Sequence, residues 1–266
     1  MVSVPGFHCL GGVGGRPKPE FPTRGRNKGG WMVYIHPTEI SLKDTKVAHC
    51  GGSIISRRHI LTAAHCVTFY IGTVTKFNNL TLHTGRRDLF EDESHKEQLR
   101  TIIGSNIIVH PEYDSQTLNN DIAILVLDDP LSFNKWTMAI ALSTRDISHI
   151  DGKLCRATGW GKTEYAAFSS VLIEIRIKKQ RCKLPDDLDK RVNTTTMFCA
   201  HKPGRDACSG DSGGPYVCRF KKKWFQYGIV SWGPEPSVYG DQACGTYSGV
   251  YVNVAHYTDW INGFIQ

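Results

Sequence analysis

The sequence predicts an all-β fold, and three observations carry that reading: short β-like runs follow one another along the chain, turn residues divide them, and no helical periodicity stands between them. Antiparallel barrels or sandwiches accommodate such a series, whereas a parallel sheet would need crossover helices. Taken in order, the opening segment with Gly11, Gly12, Gly14, Gly15, Pro17, Pro19, Pro22, Gly25, Gly29 and Gly30 is expected to be irregular. Its glycines do not form a dinucleotide site, since no strand precedes them and no helix follows. Strands are expected at Trp31 to Ile35, Gly52 to Ser56, Ile60 to Ala63, Ile102 to Val109 and Ile122 to Leu127. The last is apolar throughout, as in a strand covered on both faces. Further on, Val171, Ile173, Ile175 and Ile177 alternate with Leu172, Glu174, Arg176 and Lys178, so a half-buried strand should turn the first set inward. Helical spacing occurs at the C-terminus, where Val254, Tyr257, Ile261 and Phe264 or Ile265 would place one apolar stripe against the body.

At 266 residues the chain can bury a sizeable core, as one large β domain or two small ones. Its apolar share of 40% and charged share of 21% are ordinary for a globular protein, and no stretch approaches the roughly 18 apolar residues of a membrane helix. Nine cysteines, spaced far apart, argue for disulfides in an oxidising, extracellular compartment and against zinc, which is gripped by close ligand pairs. The sequons at Asn79 and Asn193 agree with export. The opening Met1-Val2-Ser3-Val4-Pro5-Gly6-Phe7-His8-Cys9 lacks the basic start and apolar core of a secretory leader, so a leader is expected upstream of Met1. The formal charge of +7 would permit an acidic partner. However, Arg219-Phe220-Lys221-Lys222-Lys223 and Lys178-Lys179-Gln180-Arg181 read as solvated turns and strand ends, with no nucleic-acid motif beside them. No cofactor is expected.

The chemistry concentrates in three segments. Gly210-Asp211-Ser212-Gly213-Gly214-Pro215 surrounds one hydroxyl with small residues, so a tight turn can expose Ser212 and aim the amides of Gly210 and Ser212 at one point. Serine is a poor nucleophile at neutral pH and needs a base, most often a histidine oriented by a carboxylate. His65, in Leu61-Thr62-Ala63-Ala64-His65-Cys66, closes an apolar strand next to a cysteine that a disulfide could pin. Asp121, in Asn119-Asn120-Asp121-Ile122-Ala123-Ile124-Leu125, stands at the mouth of an apolar strand, where a carboxylate needs hydrogen bonds to stay charged.

In the order His, Asp, Ser, these segments resemble the chymotrypsin and trypsin family of serine proteases over about residue 12 to the C-terminus. The resemblance implies two six-stranded antiparallel β-barrels, about 31–127 and about 150–250, with the catalytic cleft between them and a C-terminal helix about 254–265; residues 1–11 would be a propeptide-like remnant. It makes His65 the general base, Asp121 its orienter, Ser212 the nucleophile, and Gly210 with Ser212 the oxyanion hole. Ser231-Trp232-Gly233 resembles the strand that pairs with substrate backbone. Asp206 takes the place of the specificity-pocket floor of trypsin-like members, where it would meet arginine or lysine, and Gly233 and Gly249 match the pocket walls. Ala207 replaces a serine found in many relatives, which favours arginine over lysine. Four disulfides are implied, Cys50 with Cys66, Cys155 with Cys218, Cys182 with Cys199 and Cys208 with Cys244, leaving Cys9 without a partner. Polypeptide substrates, protein inhibitors of serine proteases and a monomeric state follow from the same likeness.

The chain departs from the family at the zymogen switch. There a new N-terminal ammonium pairs with the aspartate before the serine, here Asp211, but Gly12-Val13-Gly14-Gly15 follows Gly11 where a basic residue and an Ile-led segment are usual. A noncatalytic homologue acting as a binding or regulatory module is therefore the competing expectation. Arg86 falls near a glutamate of calcium-binding relatives, so no calcium site is expected, and Pro234 to Ala243 reads as an insertion beside the pocket.

Overall fold

β-branched and aromatic runs separated by Gly, Asn and Asp turns pair locally into antiparallel ladders, and the computed structural model describes them over residues 29–38, 49–71, 73–163, 166, 168–240 and 243–265. Cys9 and Gly12-Val13-Gly14-Gly15 lie outside the described residues. The first half forms β1 (Met32–Pro37), β2 (Cys50–Ile54), β3 (His59–Thr62), β4 (Thr68–Ile71), β5 (Thr73–Lys76), β6 (Asn79–Thr84), β7 (Gln98–Ile103), β8 (Ile107–Val109) and β9 (Ala123–Val126). Apart from the separate β4–β5 hairpin they make one sheet in the order β7-β6-β1-β2-β3-β9-β8. Its edge strands β7 and β8 are joined through the short turn Gly104–Asn106, so the chain itself curls the sheet back on itself. The expected single strand from Ile102 to Val109 is thus two strands, broken where Gly104 N–H donates to Asn78 O at 2.8 Å.

The second half forms β10 (Ala141–Leu142), β11 (Leu154–Gly159), β12 (Ile173–Lys179), β13 (Met197–His201), β14 (Pro215–Phe220), β15 (Lys223–Trp232) and β16 (Gly249–Asn253). The ladder β15-β14-β11-β12-β13-β16 is closed by β16 pairing with β15, a complete six-stranded barrel, and β10 adds to β15 in parallel. The all-β, barrel-based expectation holds. The alternation expected from Val171 onward holds at Ile177, which is buried, but fails at Leu172, which is also buried. The β11 ladder begins only at Ile173; ahead of it Leu172 N–H donates to Arg87 O of the first half at 2.7 Å, and the Leu172 side chain packs with Trp31 and Trp160.

Each sheet encloses an apolar core, and the first contains Val33, Ile35, Ile60, Ile124 and Leu125. Val254, Tyr257 and Ile261 belong to that first core, carried there by the turn Val254–Tyr257 and the helix Thr258–Asn262. The stripe continues through Ile265, while Phe264 stays 38% exposed. Four disulfides join Cys50 to Cys66, Cys155 to Cys218, Cys182 to Cys199 and Cys208 to Cys244. Among the described residues no helix is long and apolar enough to cross a membrane. Ile261→Ala would open a cavity where the helix meets the core; we expect about 2–5 kcal/mol of destabilisation in urea titration, with an unchanged denaturant slope.

Candidate active site

After β3 the backbone tightens into the 3-10 turn Ala64–Cys66, which lifts His65 off the strand end. The turn is fixed by the Cys66 bridge to Cys50 in β2 and by Thr68 Oγ1 donating to Ala64 O at 2.9 Å. Opposite it, Asn120 adopts a left-handed φ of 53°, donates through Nδ2 to Glu112 O at 2.8 Å and accepts from Tyr257 Oη at 2.7 Å. That kink precedes Asp121, which is 0% exposed. Asp121 Oδ1 accepts the His65 backbone N–H at 2.9 Å, while Oδ2 accepts His65 Nδ1–H at 2.8 Å and Ser231 Oγ–H at 2.5 Å. Burial works to raise the Asp121 pKa, but the imidazole charge and the hydrogen bonds from His65 and Ser231 hold it below the usual carboxylate value. For His65 burial works downward, and the Asp121 charge and hydrogen bond overcome it, leaving the ring above 6.5.

Ser212 sits in a turn whose flanking glycines have φ of 94° at Gly210 and 78° at Gly213, backbone that side chains rarely adopt. A Cβ on Gly213 would also lie 2.3 Å from Gly51 O, so only glycine lets the serine turn meet the first sheet this closely. Gly51 N–H donates to Ser212 O at 2.7 Å and Gly213 N–H to Val230 O at 2.8 Å. The amides of Gly210 and Ser212 donate to no acceptor among the described residues. Asp211 turns inward: its carboxylate accepts from Gly161 N–H at 2.8 Å and Cys208 N–H at 3.0 Å, with no cation in ion-pair reach among the described residues. Desolvation pushes its pKa up to about 6, against the pull of those two amides. The structure brings Ser212 and His65 to the junction of the sheets without joining them: Ser212 Oγ makes no hydrogen bond to the ring, and His65 Nε2 lies 3.7 Å from Cys66 Sγ.

Asp206 accepts Ala207 N–H at 2.7 Å and Tyr251 Oη–H at 3.3 Å, and no described cation pairs with it. Desolvation pushes its pKa up to about 8. A Cβ on Gly249 would come within 2.7 Å of its Oδ1, so the bare backbone is what keeps this carboxylate uncrowded. Gly233 lies beside Gly249, and Trp232 carries the Arg191 guanidinium 5.3 Å from its ring centroid. Within the expected insertion, Pro236–Tyr239 forms a helical turn anchored by Tyr239 Oη donating to Asp187 Oδ2 at 2.5 Å.

Sequence reasoning missed Gly161, Gly51, Tyr251 and Asn120, whose bonds hold Asp211, Ser212, Asp206 and Asp121 in place. The Gly51-Gly52 pair after Cys50 and the Gly159-Trp160-Gly161 segment were the legible signals, since glycines flanking bulky or bridged residues mark close approach. Cys50, His65 and Cys66 converge as metal ligands would, but the two sulfurs are bound to each other. Arg86 reaches Glu97 Oε1 and Leu89 O, both at 3.0 Å, placing a guanidinium inside the 86–97 loop.

The chain matches the family model described as Trypsin over residues 26–261. It is also 36% identical over 230 residues, 80% of its length, to CLIP domain-containing serine protease B4 of Anopheles gambiae, and spans 61% of that protein.

Because its pKa is held up by Asp121 against burial, the His65 ring should titrate above 6.5, and in Asp121→Asn, where burial acts without the opposing charge, below it. Ring-proton NMR titration of the two proteins reads both values.

Proposed function

Because the chain belongs to the trypsin family of serine proteases, we propose that it is an extracellular endopeptidase that hydrolyses polypeptides after arginine or lysine. The observation that carries this reading is the buried Asp121 carboxylate bonded to His65 Nδ1, which leaves Nε2 as the basic nitrogen. In the proposed reaction Ser212 Oγ attacks the substrate carbonyl carbon while its proton passes to His65 Nε2. The imidazolium then protonates the departing amine as the C–N bond breaks, leaving an ester on Ser212. Water attacks that ester by the same route in reverse, and Ser212 regains its proton. The unoccupied amide donors of Gly210 and Ser212 are suited to the oxyanion, and one such donor contributes about 3 kcal/mol in the transition state. The step requires Ser212 Oγ to approach Nε2, and catalytic hydrogen bonds are often long until substrate binds.

Asp206 supports the basic preference: an otherwise unpaired, desolvated carboxylate is offset by a substrate cation, and a guanidinium can meet it through two hydrogen bonds. Ala207 offers no hydroxyl to solvate an ammonium, so arginine should be preferred over lysine. Four disulfides support the extracellular assignment, and Asn79 and Asn193 are exposed as glycosylation would require. We further propose the residue 12–266 protease domain as a monomer open to protein inhibitors. The relative from Anopheles gambiae is named as a serine protease, and protease activity alone is extended from it to this chain. The competing reading, a noncatalytic module, is favoured by one observation: Asp211 has backbone amides but, among the described residues, no ammonium for a partner.

A fluorophosphonate probe separates the two, since it should label Ser212 in matured protein only if the enzyme reading is right. Ser212→Ala should abolish hydrolysis of arginyl peptides down to the roughly 10³–10⁴-fold residual that binding and oxyanion donors supply. Full turnover by that variant overturns the mechanism. Binding of a cation ionises Asp206, so below about pH 8 an arylamidine inhibitor should bind with proton release and gain affinity as pH rises towards that value. Calorimetry in buffers of different ionisation enthalpy measures the proton; Asp206→Ser should remove it.

A further inference from the structure

Away from the cleft, the tip of the β14–β15 hairpin gathers cations around one ring. Arg145 Cζ lies 4.4 Å from the Phe220 centroid, Lys221 Nζ 5.6 Å and Lys153 Nζ 5.7 Å, with the His149 ring edge-on at 4.9 Å. Arg219, Lys222 and Lys223 are exposed beside them. None of Arg145, Lys153, Arg219, Lys221, Lys222 and Lys223 makes an ion pair among the described residues. The nearby carboxylates are engaged elsewhere, Asp146 with Ser148 N–H at 2.8 Å and Asp151 with Lys179. His149 Nε2 is buried without a hydrogen-bond partner, and burial followed by the charges of Lys153 and Arg145 lowers the pKa of its ring. So many like charges repel one another unless an anion lies among them.

The backbone adds an independent observation. Phe220 pairs with Lys223, so Lys221 and Lys222 form a two-residue turn with φ of 45° and 68°, a left-handed conformation natural to Asn and Gly and strained for lysine. Two lysines occupy the turn although its geometry favours other residues.

We propose that this tip, with Arg145 and Lys153, is a docking site for a sulfated polysaccharide. Closely spaced, permanently ionised sulfates suit a convex cluster of unpaired cations. Single-stranded nucleic acid fits less well, because guanidinium groups already stand over Phe220 at 4.4 Å and Trp224 at 4.3 Å and compete with bases for those ring faces. β14 starts just after Ser212 and β15 ends at Trp232, so the candidate active site and the basic tip occupy opposite ends of one hairpin, about 20 Å apart for a six-residue strand. Docking therefore leaves the cleft open and tethers the molecule. The basic run that reads from sequence as a solvated turn is, in three dimensions, joined by Arg145, His149 and Lys153 from another segment.

The test is fluorescence anisotropy of labelled heparin oligosaccharide with the full chain across a salt series, competed by polyglutamate and by single-stranded DNA. Heparin should bind at about 0.15 M salt, with log affinity falling against log salt at a slope of roughly −3 to −5. Combining Lys221→Asn and Lys222→Gly installs a preferred hairpin turn, so with Arg145→Gln added the variant should lose roughly tenfold or more in affinity without a fall in Tm. Absence of heparin binding, equal affinity of variant and parent, or stronger competition by polyglutamate or DNA overturns the proposal. Binding is read without any substrate, so its outcome is independent of peptidase activity.

Discussion

One buried charge organises the molecule. Asp121 is fully buried, and a carboxylate so placed is tolerable only when its oxygens are hydrogen-bonded. The bonds come from both halves of the chain: His65 stands at the end of β3 in the first sheet, and Ser231 lies in β15 of the second barrel. The requirement that Asp121 stay solvated by protein therefore fixes how the two sheets face one another. Further polar links follow along the same seam, with Gly51 N–H on Ser212 O and Ser53 Oγ donating to Gln226 Oε1 at 2.6 Å. Apolar cores on either side supply cohesion without direction, and these bonds supply the direction.

The candidate site draws its electrostatic character from uneven compensation. Asp121 is over-supplied with donors and sits below its usual pKa, whereas Asp211 and Asp206 are enclosed with only neutral partners and sit above theirs. Three aspartates in one region thus differ in what they await. Asp121 has its imidazole, whereas the other two have no cation beside them among the described residues.

Much of this was legible in the sequence, for identifiable reasons. Strands such as Ile122 to Leu127 declare themselves because a doubly covered strand must be apolar throughout, and His65, Asp121 and Ser212 stand in segments whose composition is hard to explain by packing alone. What was not legible depends on where chain segments meet. The burial of Leu172 comes from Arg87 of the other half, the break at Gly104 from Asn78, and the enclosure of Asp211 from Gly161. Ser212 and His65 come to the same junction, yet the lack of a hydrogen bond between them could not be read from motif order. The charge cluster at Phe220 was half visible as a lysine run, but Arg145, His149 and Lys153 join it only through folding.

The C-terminal helix has a consequence for biosynthesis. Val254, Tyr257 and Ile261 complete a core otherwise built largely from strands before residue 130, and Tyr257 also braces Asn120, the neighbour of Asp121. A ribosome delivers the first sheet long before it delivers these residues. The nascent N-terminal half must wait with an unfinished apolar face until residues 254–261 have followed the whole second barrel, so its folding is coupled to the synthesis of the second half.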